Sequence, residues 1–228
     1  MLKHIPNLLT ISNLICGCLA LYFSFHANLI FTAYFVGLSA VFDFTDGLAA
    51  RLLKVSGPMG RELDSLADMV SFGVVPGSVV FHLLEDSSLS NYAFVALLIP
   101  AFSAYRLAKF NIDDRQLDGF IGLNTPTCTL FFISFPLISH FQPNHFLNQF
   151  IEMPELLLLF TILLSIAMVL NVSLFSFKFK NLKFQDNKLR FLFIVLVIVL
   201  TLLLHFAAIP LLVLLYLVLS VFNNYIAE

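Results

Sequence analysis

Runs of about twenty apolar residues recur from one end of the chain to the other, and no other feature limits the fold so strongly. They fall at 7–26, 29–53, 60–84, 91–111, 124–142, 154–176, 189–206 and 208–224, and about twenty helical residues span the hydrocarbon of a bilayer. With 60% hydrophobic and 11% charged residues, and 27 Phe among 228 positions, there is too little polar surface to cover a water-soluble domain of this size. In lipid every backbone N–H and C=O must be paired internally, which runs of this length achieve as helices and not as barrel strands. The expectation is an all-α integral membrane protein, a polytopic bundle of about eight transmembrane helices forming one domain over 1–228. The last two are separated only by a kink around Pro210. No charged leader with a short apolar core and a small-residue cleavage site separates from the first run, so the amino terminus reads as mature membrane helix.

The basic residues give an orientation. All twelve lie at the amino terminus (Lys3), around the second-to-third connection (Arg51, Lys54, Arg61), around the fourth-to-fifth (Arg106, Lys109, Arg115) or in the sixth-to-seventh (Lys178, Lys180, Lys183, Lys188, Arg190). The alternate loops carry only Glu85, Asp86, Glu152 and Glu155. The positive-inside rule then places both termini and the basic loop 177–190 in the cytoplasm, with the protein in the cell membrane. Basic juxtamembrane clusters such as Lys178 and Lys180 suit anionic lipid headgroups; no nucleic acid is expected as a partner. Cys16, Cys18 and Cys128 show no ligand or disulfide spacing and read as small core residues.

Against this background four aspartates stand out, in 43-DFTDGLAAR-51 and 60-GRELDSLAD-68. At 100° and about 1.5 Å per residue, Asp43, Asp46, Gly47 and Ala50 share one face of the second helix, and Gly60, Asp64, Asp68 and Ser71 one face of the third. Gly57-Pro58 forces a turn between them. In the resulting antiparallel hairpin Asp43 and Asp68 sit about 12 Å along their helices and Asp46 and Asp64 about 6–8 Å, so four carboxylates meet at two adjacent levels. Like charges this close need counter-ions. Oxygen ligands at this density suit two divalent cations, Mg²⁺, Mn²⁺ or Ca²⁺, with positions left for phosphate oxygens. Gly47, Ala50 and Gly60 let a ligand approach the backbone, and Arg51 at the mouth can pair with phosphate. Intramembrane acids mark functional sites. Asn7, Thr10 and Asn13, on one side of the first helix, can reach nucleotide or metal-bound water, or serve polar helix packing.

The string D-x-x-D-G-x-x-A-R-x8-G-x-x-x-D-x-x-x-D, complete from Asp43 to Asp68, resembles the signature of the CDP-alcohol phosphatidyltransferases. The resemblance implies a helical membrane enzyme with a six-helix core, commonly a homodimer. Such an enzyme uses two divalent ions to transfer a phosphatidyl group from a CDP-linked lipid to an alcohol, releasing CMP. Carried over by position, it implies metal binding by Asp43, Asp46, Asp64 and Asp68, with Asp68 also the catalytic base, and a nucleotide site bordered by Gly47, Ala50, Arg51 and Gly60; Asn7 and Thr10 of the first helix, by their own placement, would stand beside it. The catalytic core would be 1–176 and the basic loop 177–190, leaving two additional helices over 189–224 without a role.

Flanking segments are similar to the serine-using branch of that family: 6-PNLLTISNLICG-17, 69-MVSFGVVPG-77, 105-YRLAKFN-111, 120-FIGLNTP-126 and, more loosely, 171-NVSLFSFK-178. This resemblance implies CDP-diacylglycerol and L-serine as substrates and phosphatidylserine and CMP as products. Asn124 stands where that branch has proline, and 171–178 lacks its early basic residue. Arg106 and Lys109, one turn apart, either hold the serine carboxylate or snorkel as interfacial anchors. Glycerol 3-phosphate and inositol remain alternative acceptors. An ion-coupled transporter is the competing class, but the chain shows neither repeated halves nor paired broken helices.

Overall fold

The computed structural model describes residues 4–55, 57–112, 120–174 and 188–227. Helices α1 (Ile5–Phe25) and α2 (Leu29–Leu53) form an antiparallel hairpin whose turn uses Ala27 at φ 54°, and Asn28 caps α2 by accepting from the Phe31 N–H. Helix α2 ends on Lys54 in the left-handed conformation, and α3 (Pro58–Asp68) restarts with proline at its first turn, where a missing N–H costs nothing. A π-helical turn, Met69–Val74, links α3 to α4 (Val75–Glu85). Its cause lies in Pro76: an α-helix would need the Pro76 N–H for the Phe72 carbonyl, and the ring would crowd that oxygen. Thr129 Oγ1, on the sixth helix, donates to that carbonyl instead (2.8 Å). A 3₁₀ segment, Ser90–Leu97, leads into α5 (Leu98–Ile112).

The remainder comprises β1 (Phe120–Ile121), α6 (Thr125–Phe141), the short α7 (Asn148–Ile151), α8 (Pro154–Val169), β2 (Ser173–Leu174), α9 (Lys188–Leu204) and α10 (Ala208–Ala227), the last two joined by a 3₁₀ turn at His205–Ala207. Each of the eight expected stretches contains helix among the described residues. Five are long and apolar enough to cross a membrane among the described residues: Ile5–Phe25, Leu29–Leu53, Pro58–Glu85, Ser90–Ile112 and Phe191–Phe222. Helices α6 and α8, with 17 and 16 residues, are shorter. The protein is thus a multi-pass helical membrane protein. Large apolar side chains such as Phe25, Phe94 and Leu202 point outward, as lipid-facing surfaces do.

Two packed clusters hold the bundle. Ala20, Val36, Phe72, Val75 and Val79 tie α1 and α2 to the π turn and α4. Leu84, Ile99, Phe131, Phe132, Leu157 and Met168 tie α4, α5, α6 and α8, and Phe193 and Tyr216 attach α9 and α10 to that cluster. Three sequence expectations need adjustment. The sixth stretch, expected to run 154–176, stops at Val169 because Leu170 turns extended, and the following chain pairs antiparallel with β1, Phe120 opposite Leu174 and Ile121 opposite Ser173. Cys18, expected in the core, is exposed on the outer face of α1, while Cys16 and Cys128 are buried. The third is the turn after α2, which is shorter than supposed, since α3 begins at Pro58 and not at 60. Most of the basic loop 177–190, with Lys178, Lys180 and Lys183, lies outside the described residues, as does Arg115.

The β1–β2 pairing joins two segments that are similar to the serine-using branch. Gly122 has φ +76°, its N–H bonds the Val172 carbonyl (2.9 Å), and a Cβ there would lie 2.5 Å from the Met168 carbonyl oxygen. Strain and clash together make Gly122→Ala cost about 2 kcal/mol or more. A lowered melting temperature in detergent is the expected result; an unchanged one would remove this junction from the elements that hold the fold.

Candidate active site

The hairpin of α2 and α3 brings the acids together as helical periodicity requires. Among the described residues, Asp43, Asp64 and Asp68 each offer a carboxylate oxygen, and these atoms all lie within 4.8 Å of one another. Asp43 and Asp68, from facing helices of the hairpin, are direct neighbours in this cluster. Asp46 is 7% exposed and stands beside this trio, within electrostatic range of Asp43 and Asp64. One of its oxygens accepts from Thr10 Oγ1 (2.5 Å). Three or four hard anionic oxygens in this arrangement fit a divalent cation, so the donor set suits a metal site.

Helix α1 forms the floor. Thr10 meets Asp46, and Asn7 Oδ1 lies 3.5 Å from where a Cβ on Gly60 would be. One turn deeper, Asn13 is fully buried and donates from Nδ2 to Asp68 Oδ1 (3.2 Å). The Asn13 Oδ1 accepts from Ser39 Oγ (2.6 Å) and Ser71 Oγ (2.8 Å), and its backbone carbonyl also accepts from Ser39. Sequence reasoning left Asn13 either reaching nucleotide or metal-bound water or serving polar helix packing; here it bonds an acid and two serines of neighbouring elements. Ser39 was missed, although it stands four residues before Asp43 on the same face of α2, a polar residue in an otherwise apolar stretch.

At the mouth, Gly47 and Ala50 are partly exposed, and neither Gly47 nor Gly57 has a heavy atom within 4 Å of its Cβ position. Arg51 is exposed and returns Nε to the Gly47 carbonyl (3.0 Å), so its terminal nitrogens remain available to an incoming anion. The opening therefore exposes small residues and a guanidinium beside the acids.

The far wall is α5. Gly73 and Ser103 pack so closely that a Cβ on Gly73 would sit 3.0 Å from Ser103 Cβ. Because α5 runs antiparallel to α3, one turn on from Ser103 comes Arg106, and this brings it beside Asp68. Arg106 is 6% exposed, makes no salt bridge among the described residues, and has an Nε without a hydrogen-bond partner. Its electrostatic neighbours are Asp68 and Tyr216 of α10, and its guanidinium lies 5.9 Å over the Phe110 ring. A buried guanidinium with an unpartnered Nε that is not salt-bridged to the nearby carboxylate can still take an anionic group of a ligand. Lys109 instead turns to the segment between α8 and β2, donating to Asn171 Oδ1 (2.6 Å), and Asn111 ties α5 to α3 through Ser65 Oγ (3.0 Å). The structure thus separates Arg106 from Lys109, two residues that the sequence paired.

With this geometry in hand, comparison with known proteins is informative. The sequence model of the CDP-alcohol phosphatidyltransferase family matches residues 3–173, which carry every acid described above. The chain is 38% identical over 125 residues to the CDP-diacylglycerol–serine O-phosphatidyltransferase of Bacillus subtilis (strain 168), covering 55% of this chain and 71% of that protein. It is 31% identical over 175 residues to the Helicobacter pylori (strain 26695) protein of the same name, covering 76% and 72%. A Methanocaldococcus jannaschii protein, again of that name, is 35% identical over 145 residues, covering 63% and 66%. By the extent of the match and by these relatives, the chain belongs to the CDP-alcohol phosphatidyltransferase family.

Proposed function

We propose that this protein transfers the phosphatidyl group of CDP-diacylglycerol to the hydroxyl of L-serine, giving phosphatidylserine and CMP. The observation that carries the choice of acceptor is Arg106, a buried guanidinium with an unpartnered Nε within electrostatic range of Asp68. Serine presents a carboxylate for the first and a hydroxyl for the second. The names of the relatives support the same substrates.

Asp43, Asp46, Asp64 and Asp68 would hold two divalent cations, Mg²⁺ or Mn²⁺, with Ca²⁺ a poorer fit to turnover. When bound, such ions polarise a pyrophosphate and neutralise charge on the attacking and leaving oxygens. The chain's own groups do the rest. Gly47, Ala50 and Gly60 leave room for the cytidine, Arg51 meets a phosphate oxygen, and Asn7 lines the same side. Thr10 holds Asp46 and so shapes the nucleotide end of the site. Arg106 orients serine through its carboxylate. Asp68 takes the hydroxyl proton while the serine oxygen forms its bond to the lipid-side phosphorus and the bond from that phosphorus to the CMP oxygen breaks. The acyl chains remain in lipid between the helices. The reaction faces the cytoplasm, from which serine and CDP headgroup arrive, and the assembly is a homodimer. The core 1–176 carries the chemistry; the loop 177–190 touches lipid headgroups, and 189–224 buttress the α5 side through Phe193 and Tyr216.

The test is CMP release from CDP-diacylglycerol by purified protein, offered serine, glycerol 3-phosphate, inositol, inositol phosphate and choline in turn. Serine alone should support turnover; preference for a phosphorylated or polyol acceptor would overturn the assignment. Competition between serine and ethanolamine then examines Arg106. Arg106→Lys keeps charge and loses the planar fork, and Arg106→Ala loses both. The KM for serine should rise in that order by about 10-fold or more, with KM for the lipid nearly constant, and ethanolamine should lose its disadvantage in the alanine variant. Unchanged discrimination would remove Arg106 from the acceptor pocket.

A further inference from the structure

The hydrogen-bonded cluster beneath Asp68 is oriented as well as buried. Turning the Asn13 amide over would set its oxygen against Asp68 Oδ1 at 3.2 Å, oxygen to carboxylate oxygen, and would force the Ser39 and Ser71 hydroxyls, which now donate to Oδ1, to turn and accept. As built, the side chain can only donate to Asp68. The contacts come from three separate elements, Asn13 from α1, Ser39 from α2 and Ser71 from the π turn, and Ser39 Oγ also bonds Ser71 Oγ (2.9 Å). All three residues are fully buried. Their meeting depends on two irregular features. The π turn that begins immediately after Asp68 re-aims Ser71 toward α1. Gly17, one turn beyond Asn13, leaves the space that Ser71 fills, since a Cβ there would lie 2.3 Å from Ser71 Oγ and 3.1 Å from Ser71 Cα.

We propose that Asn13 is a positioning residue for Asp68. Its donated bond holds one carboxylate oxygen so that the rest of the group faces the acid cluster and the acceptor hydroxyl, and Ser39 and Ser71 hold the amide in place from its other end. This rests on Asp68 being the base. It assigns the polar cluster to the rate of proton transfer and not to substrate binding, because all of its members are fully buried beneath Asp68. Ordinary polar packing between helices would need no fixed donor toward an acid.

Two substitutions separate the roles. Asn13→Asp keeps the shape but replaces the donated N–H by a second carboxyl 3.2 Å from Asp68, which repels it or competes for a proton. Asn13→Leu removes all side-chain bonds but leaves the two serines bonded to each other and to the Asn13 backbone carbonyl. Both should lower kcat about 10- to 30-fold with KM for serine within about twofold, the size usual for a group that orients a functional ligand. In the Asp68→Asn background, Asn13→Leu should cost less than about twofold more, since the group it orients is no longer a base. The Ser39→Ala, Ser71→Ala double variant should lose several-fold in kcat by freeing the amide, with no change in KM. Melting temperatures in detergent, measured on the same samples, correct for folded fraction. Normal turnover by Asn13→Leu, a loss that disappears on that correction, or losses that add in full to Asp68→Asn would overturn the positioning role. Normal turnover by Asp68→Asn alone would overturn the assignment of the base and this inference with it, so the two failures are distinguishable.

Discussion

Asp68→Asn is expected to lower the rate of CMP release with serine by about 10³-fold while leaving the protein folded. The substitution is isosteric, and the new amide can still present an oxygen to the Asn13 Nδ2 that now bonds Asp68 Oδ1. Its other terminus becomes an N–H₂ donor where an acceptor is needed, so the serine hydroxyl loses its base, and general-base removal commonly costs 10²- to 10⁴-fold. Stability should move the other way. Asp43, Asp64 and Asp68 crowd three carboxylates within 4.8 Å, and replacing one by a neutral amide relieves their repulsion in a low-dielectric setting. In chelator, the variant should therefore melt no lower than wild type, a pattern expected when a site is kept for function at the expense of stability. Asp86→Asn, in the loop after α4, serves as control and should leave the rate unchanged. Turnover by Asp68→Asn within about tenfold of wild type would move the base to another residue.

The helices were legible because a twenty-residue apolar run has few alternatives in lipid, and the meeting of the acids was legible because a 3.6-residue repeat fixes which side chains share a face. What the repeat does not fix is how α1 crosses the hairpin. That crossing gives Asp46 to Thr10 and leaves Asp43, Asp64 and Asp68 as the converging set. Nor does a smooth repeat allow for the π turn, which displaces Ser71 and everything beyond it by a residue; Pro76 inside a long apolar run was the available signal. Arg106 lies near the end of its helix, where sequence alone permits a snorkelling cation. The close approach of Gly73 to Ser103 buries it instead. The two-residue pairing of 120–121 with 173–174 carries no periodicity at all. Its segments could be picked out by likeness to relatives, whereas their contact depends on tertiary structure.

Removal of divalent metal should abolish turnover outright and lower the melting temperature in detergent, with Mg²⁺ or Mn²⁺ restoring both. A ligand that binds only the folded state stabilises it by RT ln(1 + [L]/Kd), about 2.7 kcal/mol at a hundredfold excess over Kd. For a chain of this length that corresponds to a rise of about 5–10 °C. The gain should be large here because the apo site stores repulsion that the ion removes: three carboxylates converge, with a fourth alongside, and no basic side chain forms a salt bridge with them among the described residues. Substitutions then divide the acids by their part in holding the ions. Asp64→Asn and Asp43→Asn should shrink the metal-induced rise and raise the metal concentration needed for half-maximal rate by about tenfold or more, since each removes one converging oxygen. Thr10→Val should produce a smaller shift of the same kind through Asp46, whose orientation depends on the Thr10 hydroxyl. Ca²⁺, larger and more tolerant of irregular coordination, should restore the melting temperature better than it restores the rate. Full turnover in excess chelator would exclude a role for metal in catalysis and require the phosphate charge to be met by Arg51 and Arg106 alone.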